Sequence, residues 1–162
     1  QEYCSDEFTL MGHEVIIPHF NGSGAPFKNG FSKGLSYNLT LNTTRDEILM
    51  GLILGLALEM KHVGKCFDIK NKGPISIIGP AVKNRLWLQM KADSLNKVIY
   101  AILMDEVVSF GALSLAYKDK KYEIPIEKIT PIQKRVEEFN KIYIEYQEYY
   151  DSKMRITKEN LC

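Results

Sequence analysis

The sequence has few cysteines and almost no excess of charge, and both shortages narrow the classes of protein that it can encode. Its three cysteines, Cys4, Cys66 and Cys162, are odd in number and widely spaced. This argues against a disulfide-stapled secreted scaffold and favours reduced thiols in a cytoplasm. The net charge is only +1, and no basic cluster is present. We therefore expect no nucleic acid among the partners.

Long hydrophobic runs and metal-binding spacings are also lacking. The most apolar run, residues 48–58, is well short of the ~20 residues that a membrane-spanning helix needs, and no signal sequence opens the chain. The sequence thus predicts a cytoplasmic protein with no membrane association. His13, His19 and His62 have no metal-ligand spacing with cysteine or carboxylate. We predict surface or interface packing for each of them and no metal site.

What the sequence does contain is an alternation of short apolar strands and longer helical patterns. One strand or a hairpin is predicted over 8–20, most clearly at 15–17, and further strands at 33–41, 76–78 and 97–100. Helices are predicted from Thr43 or Thr44 to about Val63, over 85–93, from Val108, and from about 131 to 152. The length of 162 residues fits one domain with its own core. The alternation of elements indicates the α/β class.

The first predicted helix is apolar nearly all round, which is typical of a buried helix. Thr44 and Glu47 stand at the spacing of a capping box at its start. Leu52 and Leu56 are predicted to be almost inaccessible. Gly51 and Gly55 share one face, and they would let another element approach closely.

The turn after the strand at 76–78 is the first candidate site. We expect Ile78 to end a central strand and Asn84 to lie in the first turn of the next helix, facing a surface cleft. In open α/β sheets, ligands bind beyond the carboxyl ends of strands, where helix N-termini also point. On the residues alone, a simple chain reversal at Gly79-Pro80 is the alternative to a ligand site.

Four blocks of the sequence resemble FGGY carbohydrate kinases. Residues 79–93 resemble the Gly-Gly-Gly-x-x-(Ser/Asn)-x-x-Trp-x-Gln-x-x-Ala-Asp block of that family, and residues 109–112 resemble the helix start that follows it. Residues 18–26 are similar to the Pro-x-x-x-Gly-x-x-x-Pro loop of xylulose- and fuculose-type members, and residues 34–57 follow the second family signature. The chain is identified as the later part of the C-terminal, nucleotide-facing domain, a single domain over 1–162 without the N-terminal domain.

This resemblance implies a ribonuclease-H-like domain of the actin-like ATPase type, with a mixed sheet, flanking helices and its first strands missing. It implies a parent enzyme that transfers the γ-phosphoryl group of ATP, with Mg²⁺, to a hydroxyl of a small sugar or polyol. The loop at 18–26 favours a ketose such as xylulose or fuculose. The sugar would bind through the absent N-terminal domain, and a homodimer is left open. No catalytic residue is assigned, because the family's aspartate base lies upstream, so the isolated chain is expected to be inactive.

The resemblance places nucleotide binding at Gly79, Pro80, Ala81 and Asn84. In the family, glycines let adenine lie against the backbone, where a Cβ would collide with the base. The Asn84 amide offers both a donor and an acceptor, as an adenine edge requires. Asp93 matches the family's Ala-Asp pair, and we expect it to cap or pair structurally rather than to catalyse.

The sequence also departs from the family pattern. Pro80 and Ala81 stand where glycines are usual, Asn38 replaces a common glycine, and Leu54 replaces a common glutamate. Proline removes an N–H and adds a ring, which would narrow an adenine slot. These departures support an alternative, a noncatalytic regulatory or scaffolding relative that has lost nucleotide binding. The loop 22–24 lacks the lysine and hydroxyl of a Walker phosphate loop, and both a domain-edge turn and a role near the interdomain cleft stay open for it.

Overall fold

Strands and helices alternate along the chain, as the sequence predicts for the α/β class. The structure, a computed structural model, describes residues 10, 14–24, 26, 28–67, 73–117 and 122–159, with side chains up to residue 155. The elements are β1 Val15–Ile17, β2 Leu35–Tyr37, α1 Arg45–Cys66, β3 Ile75–Ile77, α2 Arg85–Leu95, β4 Ile99–Ile102, α3 Val107–Ala116, β5 Ile126–Ile129 and α4 Gln133–Glu159. A short 3₁₀-helix, Pro80–Lys83, joins β3 to α2.

The strands that the structure describes form two sheets, one of two strands and one of three. β1 pairs antiparallel with β2. β3 runs parallel to β4, and β4 runs antiparallel to β5, so the second sheet is mixed. Its order, β3-β4-β5, puts β4 in the centre. The prediction of a central strand ending at Ile78 is wrong: β3 ends at Ile77, and among the described residues only β4 supplies it with a hydrogen-bonded neighbour.

α1 begins at the predicted capping box. The Glu47 N–H donates to Thr44 Oγ1 at 3.3 Å, and the Thr44 N–H donates to the Glu47 carboxylate at 2.7 Å. The glycine face of α1 packs directly on β1, as predicted. A Cβ on Gly51 would lie 2.7 Å from the Glu14 carbonyl oxygen, and a Cβ on Gly55 would overlap the Ile16 carbonyl. Glycine at both positions is therefore a packing requirement.

The buried face of α1 differs from the prediction. Leu52 and Leu56 are only half-buried, whereas Leu54 and Leu58 are fully inaccessible. The reason is helical phase: residues 51, 54, 55 and 58 share one stripe, and its glycines set which side meets β1. Leu54, at the position of the family's glutamate, lies in this apolar core.

Among the described residues, two clusters of buried apolar side chains form the interior. The larger one joins β1 and α1 to an aromatic stripe of α4, formed by Phe139, Tyr143, Tyr146 and Tyr150. The smaller one lies between the mixed sheet and α2 and contains Val82, Leu88, Ala92, Ile99, Ala101 and Ile129. None of the helices in the described ranges is long and apolar enough to cross a membrane.

Candidate functional site

The turn over residues 79–84 lies at the carboxyl end of the parallel strand pair β3 and β4. The Lys83 ammonium is 2.7 Å from Asp105 Oδ1, which joins this turn to the loop between β4 and α3. The hydrogen bond and then the charge attraction raise the pKa of Lys83 and lower the pKa of Asp105. Both side chains are exposed, so the pair contributes to local geometry more than to stability. Two loops thus meet where α/β sheets bind ligands.

Gly79 begins the turn in a conformation that favours glycine. Its φ is +89°, a region that costs other L-residues energy. A Cβ built on Gly79 would meet no described atom within 4 Å. The space beside this backbone is therefore open, and a flat ring system has room to approach it.

Pro80 and Ala81 form the start of the 3₁₀-helix. Pro80 is its first residue, where a missing N–H costs nothing because that N–H has no partner inside the helix. The Ala81 carbonyl accepts a hydrogen bond from the Asn84 N–H at 3.2 Å. The backbone thus accommodates both departures from glycine.

Asn84 is the N-cap of α2, one residue before the predicted first turn. Its Oδ1 accepts from the Trp87 N–H at 3.0 Å, which satisfies one of the free N–H groups at the helix start. The side chain is exposed, and its amide nitrogen donates to none of the residues that the structure describes. Asn84 therefore caps α2 with its oxygen while its NH₂ group faces solvent.

A buried polar network fixes the other face of α2. Asp93 Oδ1 accepts from the Gln89 side chain at 2.9 Å and from the Ile132 N–H at 2.8 Å, just before α4. Asp93 Oδ2 is 3.0 Å from Arg135 Nε, and both side chains are fully buried. Gln89 also donates to the Thr130 carbonyl at 3.0 Å. The predicted structural role of Asp93 is confirmed. The i, i+4 spacing of Gln89 and Asp93 is the one feature of the sequence that points to this network. Nothing in the sequence around Arg135 indicates that it pairs with Asp93.

A second buried polar cluster surrounds His19. Its Nδ1 is 2.8 Å from Ser32 Oγ and 2.6 Å from Lys153 Nζ, and its Nε2 is 3.4 Å from Glu59 Oε1. The Tyr146 hydroxyl donates to the same carboxylate. The prediction of surface or interface packing is wrong for His19, which is 3% exposed, because side chains from α1 and α4 close over it.

Burial and pairing shift the pKa values in this cluster. Burial lowers the pKa of Lys153 to about 8, although Glu59 opposes the shift. Burial alone would raise the pKa of Glu59, but its hydrogen bonds to His19 and Tyr146 outweigh this and lower it. These contacts connect residues 19 and 32 to α1 and α4. None of them involves the turn at 79–84.

His62 contacts a tyrosine of α4. His62, half-buried on α1, has its Nδ1 2.8 Å from the Tyr143 hydroxyl. His13 lies outside the described residues, as do Cys4 and Cys162, while Cys66 is exposed. Within the described ranges, no three His, Cys, Asp or Glu side chains are grouped closely enough to hold a metal ion.

Gly22 and Asn38 are two of the described positions with a positive φ. Gly22 has a φ of +82°, and the next residue, Ser23, exchanges backbone hydrogen bonds with Asn29 at 2.9 and 3.2 Å, which closes the loop. Asn38 has a φ of +67°. Asparagine tolerates this region better than other non-glycine residues, which explains how it replaces the family's glycine.

In an α/β domain with a parallel strand pair, a turn at the carboxyl ends of those strands is the place where ligands commonly bind. The chain belongs to the FGGY family of carbohydrate kinases: the family's C-terminal domain matches residues 5–118.

Its curated relatives include two glycerol kinases. The enzyme of Francisella tularensis subsp. holarctica is 26% identical over 145 residues, which are 82% of this chain and 29% of that protein. The enzyme of Bordetella pertussis is 30% identical over 104 residues, 62% of this chain and 20% of that protein. The chain therefore spans less than a third of the length of the relatives that it matches.

Solved structures establish the fold. A xyloylose kinase from Brucella ovis superposes with a TM-score of 0.81 at 17% identity, covering 96% of this chain and 35% of that one. The glycerol kinase of Plasmodium falciparum with ADP gives a TM-score of 0.65 at 21% identity, covering 85% of this chain and 31% of that one. The chain has the actin-like ATPase fold of these sugar kinases, as predicted.

Proposed function

We propose that this chain is the nucleotide-facing later part of the C-terminal domain of an ATP-dependent kinase, which phosphorylates a hydroxyl group of a small sugar or polyol. One observation carries the proposal: an open, positive-φ Gly79 and an outward-facing Asn84 amide flank one turn at the carboxyl ends of β3 and β4. That turn lies inside the stretch that matches the family. Gly79, Pro80, Ala81 and Asn84 border the adenine in this proposal.

The open side of the turn fits an adenine ring. No Cβ occupies the space beside Gly79, so a planar base can lie against the backbone. The Asn84 NH₂ group can donate to a ring nitrogen, while the amide oxygen continues to cap α2. The similarity to a glycerol kinase structure with ADP supports a purine nucleotide as the ligand.

The contribution of this chain to catalysis is binding and orientation. When bound, MgATP supplies the phosphoryl group, and the ion neutralises charge on the phosphates. The 79–84 turn would hold the adenine ring in place. The Gln89–Asp93–Arg135 network would keep α2, and with it Asn84, fixed against α4. We assign no Mg²⁺ ligand to the described residues, and we place the catalytic general base and the sugar contacts in the N-terminal domain. The isolated chain therefore binds nucleotide weakly and transfers no phosphoryl group.

The substrate proposal remains a class of compounds. The loop at 18–26 supports a ketose such as xylulose or fuculose. The curated glycerol kinases support a three-carbon polyol. A small molecule with adjacent hydroxyl groups satisfies both observations.

The test is a titration of the chain with ATP, in which binding is monitored by line broadening in NMR spectra. We expect a dissociation constant no tighter than ~1 mM, worth about 4 kcal/mol, because one side of a cleft encloses little of the ligand. Asn84→Ala and Asn84→Ser should both abolish binding, since both lose the NH₂ donor. Serine is still a good N-cap, so only the alanine variant should also lose ~1 kcal/mol of stability.

Two results would contradict the proposal. Micromolar binding that survives Asn84→Ala would show that the nucleotide site lies elsewhere. Phosphorylation of xylulose or glycerol by the isolated chain would show that the base does not lie in an N-terminal domain.

The second candidate is a noncatalytic regulatory or scaffolding relative of the same fold. It is favoured by Leu54, which is fully buried where the family has glutamate, and by the ring of Pro80 beside the open glycine. The same titration separates the two candidates. If ATP binds only after Pro80→Gly with Ala81→Gly, the second candidate is correct.

A further inference from the structure

His19 and Lys153 are two basic side chains that are buried in direct contact with each other. His19 Nδ1 lies 2.6 Å from Lys153 Nζ, and both residues are more than nine-tenths buried. An ammonium group only donates hydrogen bonds, and a protonated imidazole donates from both of its nitrogens. One member of the pair therefore has to be unprotonated in order to accept. The geometry fits one positive charge on the pair and not two.

The same contacts fasten the loop between β1 and β2 to α4. The structure describes residues 18–24, 26 and 28–34 of this loop, which we call the β1–β2 loop. Ser32 Oγ lies 2.8 Å from His19 Nδ1 and 3.8 Å from Met154 Sδ, and Asn29 Nδ2 lies 4.0 Å from the same sulfur. Lys153 and Met154 are consecutive residues of α4, so a displacement of this turn of the helix alters all of these contacts together.

The charged and titratable groups around the pair belong to α1, α4 and the loop itself. Glu59 of α1 is the half-buried acid, and its Oε1 lies 3.4 Å from His19 Nε2. Asp151 of α4 is exposed, so water and salt screen its charge. The remaining groups are His62 and Lys65 of α1, Tyr146 and Tyr150 of α4, and the exposed Lys28 and Lys33 of the loop. The surroundings thus balance one buried positive charge better than two.

A second proton on the pair would put two cations in contact. Like charges that share a buried site are not both ionised without a cost. Ser32 Oγ can accept from a newly protonated Nδ1, but the Lys153 ammonium would still lie against a charged ring. Glu59 does not remove this repulsion, because its contact with Nε2 is already present when His19 is neutral. The repulsion is relieved when Lys153 moves away from His19.

We propose that the His19–Lys153 contact is an acid-sensitive fastening of the β1–β2 loop. With one proton on the pair, the loop is held against α4. With two protons, Lys153 and Met154 move away from His19 and Ser32, and the loop opens while the rest of the domain stays folded. The release involves no residue of the 79–84 turn, so it is independent of the proposed nucleotide site.

The test is amide hydrogen exchange of the chain at about pH 7.5 and about pH 5.5, a range in which histidine side chains commonly take up a proton. Glu59 stays ionised over this range, because its hydrogen bonds to His19 and Tyr146 lower its pKa. The reporters are the amides of Ser23 and Asn29, which bond each other's carbonyl oxygens across the loop. We expect their protection factors to fall about tenfold on acidification, while those of β4 amides stay unchanged.

Three variants assign the response to the pair. Gln at position 19 can accept from Lys153 but takes up no proton, so His19→Gln should keep the loop protected at both pH values. Lys153→Met removes the second cation, and acid should then no longer lower the protection. His62→Gln is the matched control, because His62 Nδ1 contacts the Tyr143 hydroxyl instead. The fall in protection should persist in this control.

Several results would overturn the proposal. Equal protection of Ser23 and Asn29 at both pH values in the parent chain would do so, even if a variant failed to fold. So would a fall that survives in His19→Gln or Lys153→Met. A fall that disappears in His62→Gln would assign the acid response to that histidine. A proportional fall in the β4 amides would show unfolding of the whole domain rather than release of the loop.

Discussion

The buried ion pair between Asp93 and Arg135 allows a sharp test of how α2 is held. Asp93→Asn keeps the shape of the side chain and an oxygen that can accept from the Ile132 N–H. It removes the negative charge that faces Arg135 Nε at 3.0 Å, where both side chains are fully buried. The buried guanidinium would then lose the carboxylate charge that Asp93 supplies.

The expected cost is large because the pair lies away from water. Removing one partner of a buried pair typically costs about 3–5 kcal/mol, whereas replacing both partners by uncharged groups of similar volume is often nearly neutral. Total stabilities of domains are about 5–15 kcal/mol, so Asp93→Asn should leave a folded but much weaker protein. Adding Arg135→Met should recover most of the loss.

Urea unfolding measures these differences directly. Trp87 is the only tryptophan and lies on α2, so its fluorescence reports the element that the pair holds. The single variants and the double variant form a double-mutant cycle, which isolates the coupling between the two side chains. Two results would show that the pair does not hold α2 as we argue. One is a free energy of unfolding of Asp93→Asn within about 1 kcal/mol of that of the parent chain. The other is that adding Arg135→Met restores none of the lost free energy.

Three further predictions concern stability. Gly55→Ala should lower the free energy of unfolding by about 1–3 kcal/mol, because its Cβ would overlap the Ile16 carbonyl. Gly111→Ala, where a Cβ meets only open space, should raise it by up to about 1 kcal/mol. Equal urea midpoints for the two variants would contradict this. Leu54→Ala should cost about 2–5 kcal/mol and clearly more than Leu56→Ala in the same assay, and the reverse order would place the buried face of α1 elsewhere. The pKa of Glu59 is lower in the folded protein than its ordinary value, so its ionised carboxylate stabilises the fold above that ordinary pKa. This stabilisation is lost as pH falls through the folded pKa. The melting temperature should therefore decrease below about pH 5, and it should decrease less steeply in Glu59→Gln.

Local features of this fold could be predicted from the sequence. The capping box of Thr44 and Glu47 and the close approach at Gly51 and Gly55 depend on residues within one or two helical turns. The position of the 79–84 turn follows from a rule about strand ends that needs no tertiary contacts. That this turn binds nucleotide stays a prediction.

Features that depend on distant partners could not be predicted. The sequence could not show which face of α1 is buried, because the helix carries apolar side chains on nearly all sides. Only the contact with β1 determines that Leu54 is buried rather than Leu52. The burial of His19 depends on Lys153, 134 residues later in the chain. Pro80 reads as an obstacle in a glycine-rich turn, and it becomes compatible once a 3₁₀-helix begins there.

The contact between His19 and Lys153 also constrains when the molecule can become complete during its synthesis. Ribosomes add about 5–20 residues per second, so the 134 residues that separate the two side chains take about 7–27 s to translate. During that interval, β1 and the glycine face of α1 can already dock, while Phe139 and Tyr146 have not yet been made. The nascent chain therefore carries a half-open core until α4 emerges, and this is the interval in which a chaperone would have most surface to bind.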